Sequence, residues 1–388
     1  MYLCGMIIRN AQSRLKKLSR QFKIVAVTGP RQSGKTTLVK KTFPDKPYVS
    51  LENMDDREFA KADTRGFLNS FKHGAILDEA QRLPELFSYL QEVVDNKNTA
   101  GQFILTGSNN FLLQENISQS LAGRVGYQHL LPLSLNELQH HKLLNSDYKK
   151  HIYQGFYPEI IKKRINPSDW YENYLNTYIE RDVRQIKNIS NLSTFSKFVK
   201  LCAARVGGIL NMNEIGNACG IDQKTVAAWL GILQSSYIIY LLQPHHNNLN
   251  KRIVKAPKIY FCDTGLACFL NGIYKSQDLT FNPLKGPLFE NLMIIEKRKR
   301  ILNYNTREEL FYWRDKTGHE IDLLIEHGSK ITAIEFKSGE TASKDDFKNS
   351  IFYNSLQKNK IKNTIYYGGK ISKSIDINSK IEPWVNFI

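Results

Sequence analysis

Apolar residues fall in short unbroken runs over the first third of the chain and at helical spacing further on. The runs 24–28, 48–51, 75–79, 102–106 and 129–133 are four or five residues long, and each ends in or is followed by a polar residue or glycine. Runs of that length without polar alternation fit strands buried on both faces. Helical patterns at 10–21 and 86–94, and after residue 35, separate them. Strand and helix in alternation predict an α/β fold with a doubly wound parallel sheet over 10–135.

From about residue 158 the pattern turns helical. Trp170, Tyr171, Tyr174 and Tyr178 recur on one helical face, as a packing stripe or a binding platform. Glu180, Arg181, Asp182 and Arg184 read as a salt-bridged helix face. Helices at 195–204, 213–219 and 223–234, a Gly220-Ile221-Asp222 turn and a strand at 235–242 look like a winged helix-turn-helix. Gln223, Lys224 and Thr225 would then enter a DNA major groove. The same helix carries Val226, Ala227, Trp229, Leu230 and Ile232, which suits packing or protein contact equally. Residues 286–370 read as a compact α/β unit: a helix from Pro287 ending in Lys297-Arg298-Lys299-Arg300, then strands at 310–314, 320–325 and 330–337. The basic run is a phosphate contact or a solvated helix end. Three domains are expected, at 1–150, 151–250 and 251–388.

The stretch Gly29-Pro30-Arg31-Gln32-Ser33-Gly34-Lys35-Thr36 joins the 24–28 strand to a helix that continues through Thr37. Its glycines let loop N–H groups wrap a phosphate, and the helix N-terminus adds partial positive charge. This strand–loop–helix setting is the one a phosphate-binding P-loop requires. The expected ligand is ATP. Lys35 would reach the β- and γ-phosphates, and the Thr36 hydroxyl would ligate Mg²⁺. Asp78, at the end of the 75–79 run, would complete the Mg²⁺ shell. Glu79 would act as base toward the attacking water; a helix cap is the structural alternative for the pair. Ser108, in Gly107-Ser108-Asn109-Asn110, would hold the water or the γ-phosphate, unless that segment is a plain turn. Arg124 is placed as an arginine finger entering a neighbour's site in a homo-oligomer, or as a surface ion pair.

A second site is expected near the C-terminus. Glu335 and Lys337 lie two apart on one strand and share a face. Asp322 belongs to the neighbouring strand and Glu290 to the preceding helix. Carboxylates with a lysine can bind a divalent ion and activate water against a phosphodiester. The set resembles the restriction-endonuclease-like Asp–(Asp/Glu)-x-Lys nuclease fold; cross-strand ion pairs are the structural alternative.

Composition narrows the classes. The chain has 388 residues, 41% of them hydrophobic, and a formal charge of +17 spread over all three segments. A cationic surface favours polyanions, with DNA as the first candidate partner. No run of 18 apolar residues suggests a membrane span, and the N-terminus lacks signal-peptide order. Five cysteines without Cys-x-x-Cys spacing read as free thiols, so a soluble cytoplasmic protein is expected.

Taken in order, the motifs resemble those of prokaryotic AAA-type ATPases that carry a C-terminal domain of unknown function. The resemblance rests on Gly29–Leu38, Leu77-Asp78-Glu79-Ala80-Gln81, Leu105-Thr106-Gly107-Ser108, Leu121-Ala122-Gly123-Arg124 and Leu131-Pro132-Leu133-Ser134. It extends through Tyr178-Ile179-Glu180-Arg181-Asp182-Val183, Phe261-Cys262-Asp263-Thr264-Gly265-Leu266-Ala267 and the Asp322, Glu335, Lys337 set. It implies an N-terminal ATPase, a winged-helix middle and a nuclease-like end. It also implies ATP and Mg²⁺ at Lys35, Thr36 and Asp78, with Glu79 as base. Asp263 is expected to cap a helix.

Overall fold

The computed structural model describes residues 6–97, 99–108, 110–178, 189, 191–245, 256–357 and 361–387. The run at 24–28 forms strand β1 (Ile24–Thr28), buried at every position. Ile24 and Ala26 face one core with Leu77, Phe87, Leu90 and Leu105. Val25 and Val27 face another with Leu15, Leu38, Val39, Ile76 and Ile104. Strands β2 (Tyr48–Ser50), β3 (Ile76–Asp78), β4 (Phe103–Gly107) and β5 (Val125–His129) complete the sheet in the order β2-β3-β4-β1-β5, all pairs parallel. Helices α1 (Ala11–Gln21) and α2 (Lys35–Thr42) supply apolar residues to one core and α3 (Leu86–Asn96) to the other. This is the expected doubly wound sheet. The last strand differs in place, ending at His129 where an element at 129–133 was expected. Its register against β1, from Ile24↔Val125 to Thr28↔His129, fixes it there.

Helices α4 (Tyr148–Gln154), α5 (Pro158–Lys163) and α6 (Pro167–Thr177) follow, then α7 (Leu192–Ala203), α8 (Met212–Cys219) and α9 (Gln223–Ser235). Trp170, Tyr171, Tyr174 and Tyr178 are buried, with Trp170 stacked on Tyr174 at 5.0 Å. Packing, not an open platform, accounts for that stripe. Trp229 on α9 wedges against Phe195 and Phe198; Val226, Trp229, Leu230 and Leu233 face inward, while Gln223 and Lys224 are exposed. The expected ion-paired face at Glu180, Arg181, Asp182 and Arg184 lies outside the described residues.

Strands β6 (Ile239–Pro244) and β7 (Lys258–Phe261) pair antiparallel. Helix α10 (Thr264–Leu270) is capped by Asp263, whose Oδ1 accepts the Gly265 and Leu266 amides. The same carboxylate accepts the Phe156 amide at 2.8 Å and the Tyr171 hydroxyl at 2.5 Å. Helix α11 (Lys285–Tyr304) precedes β8 (Glu309–Arg314), β9 (Glu320–His327), β10 (Lys330–Lys337), β11 (Lys362–Tyr367), β12 (Lys373–Ser374) and β13 (Ser379–Pro383). These strands form one eight-stranded sheet in the order β12-β13-β11-β10-β9-β8-β6-β7. The sheet therefore runs across residue 250, because β6 pairs in parallel with β8 through Gln243↔Phe311 and Pro244↔Tyr312.

Helix α11 corrects the expected helix end at the basic run. It continues to Tyr304, and three of the four cations have partners within the fold. Lys297 binds Glu308 at 2.7 Å. Arg298 stacks over Tyr240. Lys299 is buried and donates to the Leu133 carbonyl at 2.7 Å and to Glu296 at 2.6 Å. The Leu135 amide donates to the same Glu296, so α11 is stitched to the chain leaving the parallel sheet.

Candidate functional site

The P-loop follows β1 directly. A Cβ on Gly29 would lie 2.1 Å from the Leu130 carbonyl oxygen, so the close approach of the two backbones excludes any larger residue. Gly34 has φ 93 and begins α2 without a side-chain cap, which leaves first-turn N–H groups open for an anion. Lys35 is 6% exposed. Its Nζ bridges the loop by donating to the carbonyls of Gly29 (3.0 Å) and Pro30 (2.8 Å). Ser33 Oγ is buried without a hydrogen-bond partner. Buried Arg9 holds the loop from behind: it donates to the Ser33 carbonyl at 2.6 Å and the Leu131 carbonyl at 2.7 Å, and pairs with Glu137 at 3.0 Å. Glu137 also closes a capping box with Ser134. Nothing in the sequence reading singled out Arg9; Ser134 and Glu137 at capping-box spacing are the available signal.

The acid pair stands at the end of β3, with β4 between it and the P-loop strand. Asp78 accepts hydrogen bonds from Thr36 Oγ1 at 2.9 Å, the Tyr48 hydroxyl at 2.7 Å and Thr106 Oγ1. Burial, and then the Asp78 contact, pushes the Tyr48 hydroxyl well above its usual range, so it stays a donor. A hydroxyl and a carboxylate side by side are hard oxygen donors of the kind Mg²⁺ takes, so Thr36 and Asp78 fit that ion. Glu79 sits at φ 56, a left-handed conformation that strains a non-glycine residue. Its Oε2 accepts from Gln81 Nε2 at 2.6 Å and from Ser108 Oγ at 3.0 Å. Ser108 thus orients Glu79; Gln81, not singled out from sequence, does the same. Asn109 lies outside the described residues.

A cavity of about 550 Å³ opens over this surface. Arg31, Gln32, Gly34 to Thr37, Glu79 and Ser108 line one wall. Pro158, Glu159, Lys162, Lys163 and Thr177, from α5 and the end of α6, line the other. Lys163 pairs with Glu159 at 2.6 Å, and Lys162 is exposed. That second wall was not legible in the sequence, because it lies more than 120 residues beyond the P-loop along the chain.

Arg124 is not part of this constellation within its own chain. It precedes β5 at the end of the sheet opposite the P-loop, roughly 16 Å away along five residues of strand. Its guanidinium forms a fork with Asp95, 2.7 Å from each carboxylate oxygen. The Arg124 hydrogen bond holds the Asp95 carboxyl below its usual range.

The C-terminal acids do gather. Glu290 on α11 is largely buried, and burial followed by the Asp322 charge pushes it up to about 7. Burial, then Asp322, pushes Glu335 well above the carboxylate range. Among the described residues no group of three or more His, Cys, Asp or Glu side chains is arranged to hold a metal ion. Lys258 stands inside the cluster, 2.9 Å from Glu290. Lys337 leans outward to Asp346 at 4.0 Å.

A P-loop at the end of an interior strand of a five-stranded parallel sheet, with the acid strand one place beyond its neighbour, defines a P-loop ATPase domain of the AAA type. Residues 21–139 match the AAA domain, 145–277 the domain of unknown function DUF8612, and 285–383 the domain of unknown function DUF4143. The chain belongs to the family of AAA-domain proteins that carry DUF4143 at the C-terminal side. The uncharacterized protein Rv2008c of Mycobacterium tuberculosis is 30% identical over 340 residues, covering 86% of this chain and 75% of its own. The uncharacterized protein MJ1544 of Methanocaldococcus jannaschii is 24% identical over 338 residues, 78% of this chain and 72% of its own. Among solved structures, the Walker-type ATPase PABY2304 of Pyrococcus abyssi covers 69% of this chain and 96% of its own at 14% identity, with a TM-score of 0.45.

Proposed function

We propose that the protein binds ATP with Mg²⁺ and hydrolyses it, and that the nucleotide state moves α5 and α6 relative to the parallel sheet. The observation that carries this reading is the alignment of three groups at one cavity: open loop amides with Lys35, the Thr36–Asp78 pair, and Glu79 held by Ser108. When the triphosphate enters, Lys35 exchanges the Gly29 and Pro30 carbonyls for phosphate oxygens. Thr36 and Asp78 would hold Mg²⁺, which would supply neutralisation of the charge that develops in phosphoryl transfer. Glu79 takes a proton from water as its oxygen bonds to the γ-phosphorus, and the bridging P–O bond breaks to leave ADP and phosphate. Lys162 and Lys163 face the same cavity from α5, so a bound anion draws the two walls together.

DNA is the second reading. The inward turn of the apolar face of α9 leaves Gln223 and Lys224 exposed, as a winged-helix reader of the major groove would present them. Free thiols at Cys202, Cys219, Cys262 and Cys268 suit a reducing, cytoplasmic setting. One assay tests both readings: phosphate release with and without DNA, for wild type and Glu79→Gln. Turnover should fall by roughly 100-fold or more in Glu79→Gln, with ATP binding retained. A rate raised by DNA supports the second reading. No release from wild type under either condition would overturn hydrolysis.

A further inference from the structure

The C-terminal acid cluster lies apart from the nucleotide cleft, and the chain supplies its own cation there. Lys258 and Tyr260 are two residues apart on β7 and so share a face. Both reach Glu290 Oε1 on α11, the ammonium at 2.9 Å and the hydroxyl at 2.5 Å. The same ammonium lies 2.5 Å from Glu320 Oε1 on β9 and 5.6 Å from the centre of the Tyr312 ring. Lys258 is 2% exposed. Asp322 spends Oδ2 on the Phe336 amide at 2.8 Å. Glu335 is 4% exposed, and its Oε1 has no hydrogen-bond partner. Magnesium or manganese needs oxygen ligands converging at about 2.1 Å. A buried ammonium between those oxygens repels a dication at low dielectric. The residues present therefore do not fit the metal that a nuclease reading requires.

We infer that the Lys258 ammonium is the resident cation of this cluster: it ties β7 to α11 and β9, and the C-terminal sheet takes up no divalent ion. The lock is intramolecular and joins segments 32 and 62 residues apart in sequence. It makes the strand pair β6–β7 a rigid part of the C-terminal sheet. Removing one partner of a buried pair leaves the other charges uncompensated, which is strongly destabilising.

The test uses the full chain without nucleotide, followed by thermal unfolding in increasing Mn²⁺, for wild type, Asp322→Asn and Lys258→Met. Wild type and Asp322→Asn should respond to Mn²⁺ alike, because only the Thr36–Asp78 site remains to take it. Lys258→Met should lose roughly 10 °C in Tm, and Mn²⁺ should recover part of that loss by filling the vacated position. A Mn²⁺-dependent stabilisation of wild type that Asp322→Asn abolishes would overturn the inference. So would a Lys258→Met protein as stable as wild type, or one whose loss Mn²⁺ leaves untouched. If Lys258→Met does not fold, the comparison of wild type with Asp322→Asn still decides.

Discussion

At the scale of single residues, Glu79 and Ser108 touch the cavity of their own chain and Arg124 does not. Glu79 and Ser108 are joined by a 3.0 Å hydrogen bond at the cavity. Arg124 is spent on Asp95 at the far end of the sheet. Most exposed ion pairs contribute about 1 kcal/mol or less. Arg124→Ala should therefore leave turnover per chain within about twofold of wild type and shift Tm by no more than about 2 °C. Steady-state rates at several protein concentrations check this; a loss of 100-fold or more would restore the finger role in a neighbour's site. The P-loop and the acid pair were legible because each is contiguous in the chain and its chemistry depends on local spacing. Arg9, Lys162 and Lys258 were not. Arg9 meets Glu137 across 128 residues of sequence and Lys258 meets Glu290 across 32, while Lys162 reaches the cavity that Lys35 lines, and only the fold brings these groups together. Lys299 misled for a different reason: a basic run reads as solvated, whereas its aliphatic stem and ammonium fill a buried position beside Glu296.

At the scale of elements, the joints between helices and sheets carry buried histidines. His151 on α4 accepts the Asn145 amide through Nε2 at 2.8 Å, stacks on Phe156 and is 2% exposed. Burial is the largest cause holding it down, to about 4 from 6.5; Lys299 adds to this, while the Asn145 and Asp147 contacts oppose it. Its protonated form would lose the hydrogen bond accepted from the Asn145 amide, and Nε2 would instead donate to the Asn145 carbonyl, 3.2 Å away. Between pH about 6.5 and about 4 the unfolded chain binds a proton that the folded chain does not. Stability is therefore full above the unfolded value and falls as pH drops through this window. Each unit is worth about 1.4 kcal/mol, so His151 accounts for up to about 3 kcal/mol. His129, lowered to about 4 chiefly by burial, adds in the same direction. His129 Nδ1 and the Tyr237 hydroxyl both meet Thr28 Oγ1 at 2.7 Å, which links the strand under the P-loop to the turn after α9. Denaturant unfolding across that pH range should show a shallower slope for His151→Gln than for wild type; equal slopes would contradict the buried neutral ring.

At the scale of the whole molecule, one apolar cluster extends from Leu133 to Trp384, and α11 is bonded to the chain leaving the parallel sheet. Arg14 on α1 donates to the Leu302 carbonyl at 2.7 Å, a further tie between the first and last thirds. Strand-and-helix alternation was enough to foresee the doubly wound sheet. It was not enough to foresee that β6 and β7 join the C-terminal sheet, because a pattern of apolar runs fixes strands but not their neighbours. Among the described residues no helix is long and apolar enough to cross a membrane. The nucleotide cavity has one wall on each side of this architecture, so ATP should stabilise the chain as a unit. The most direct test is calorimetric titration of Mg²⁺-ATP into wild type and Lys35→Ala. Saturable binding to one site per chain, lost in Lys35→Ala, is the predicted result. No heat of binding at millimolar nucleotide, or equal binding by both proteins, would contradict the account.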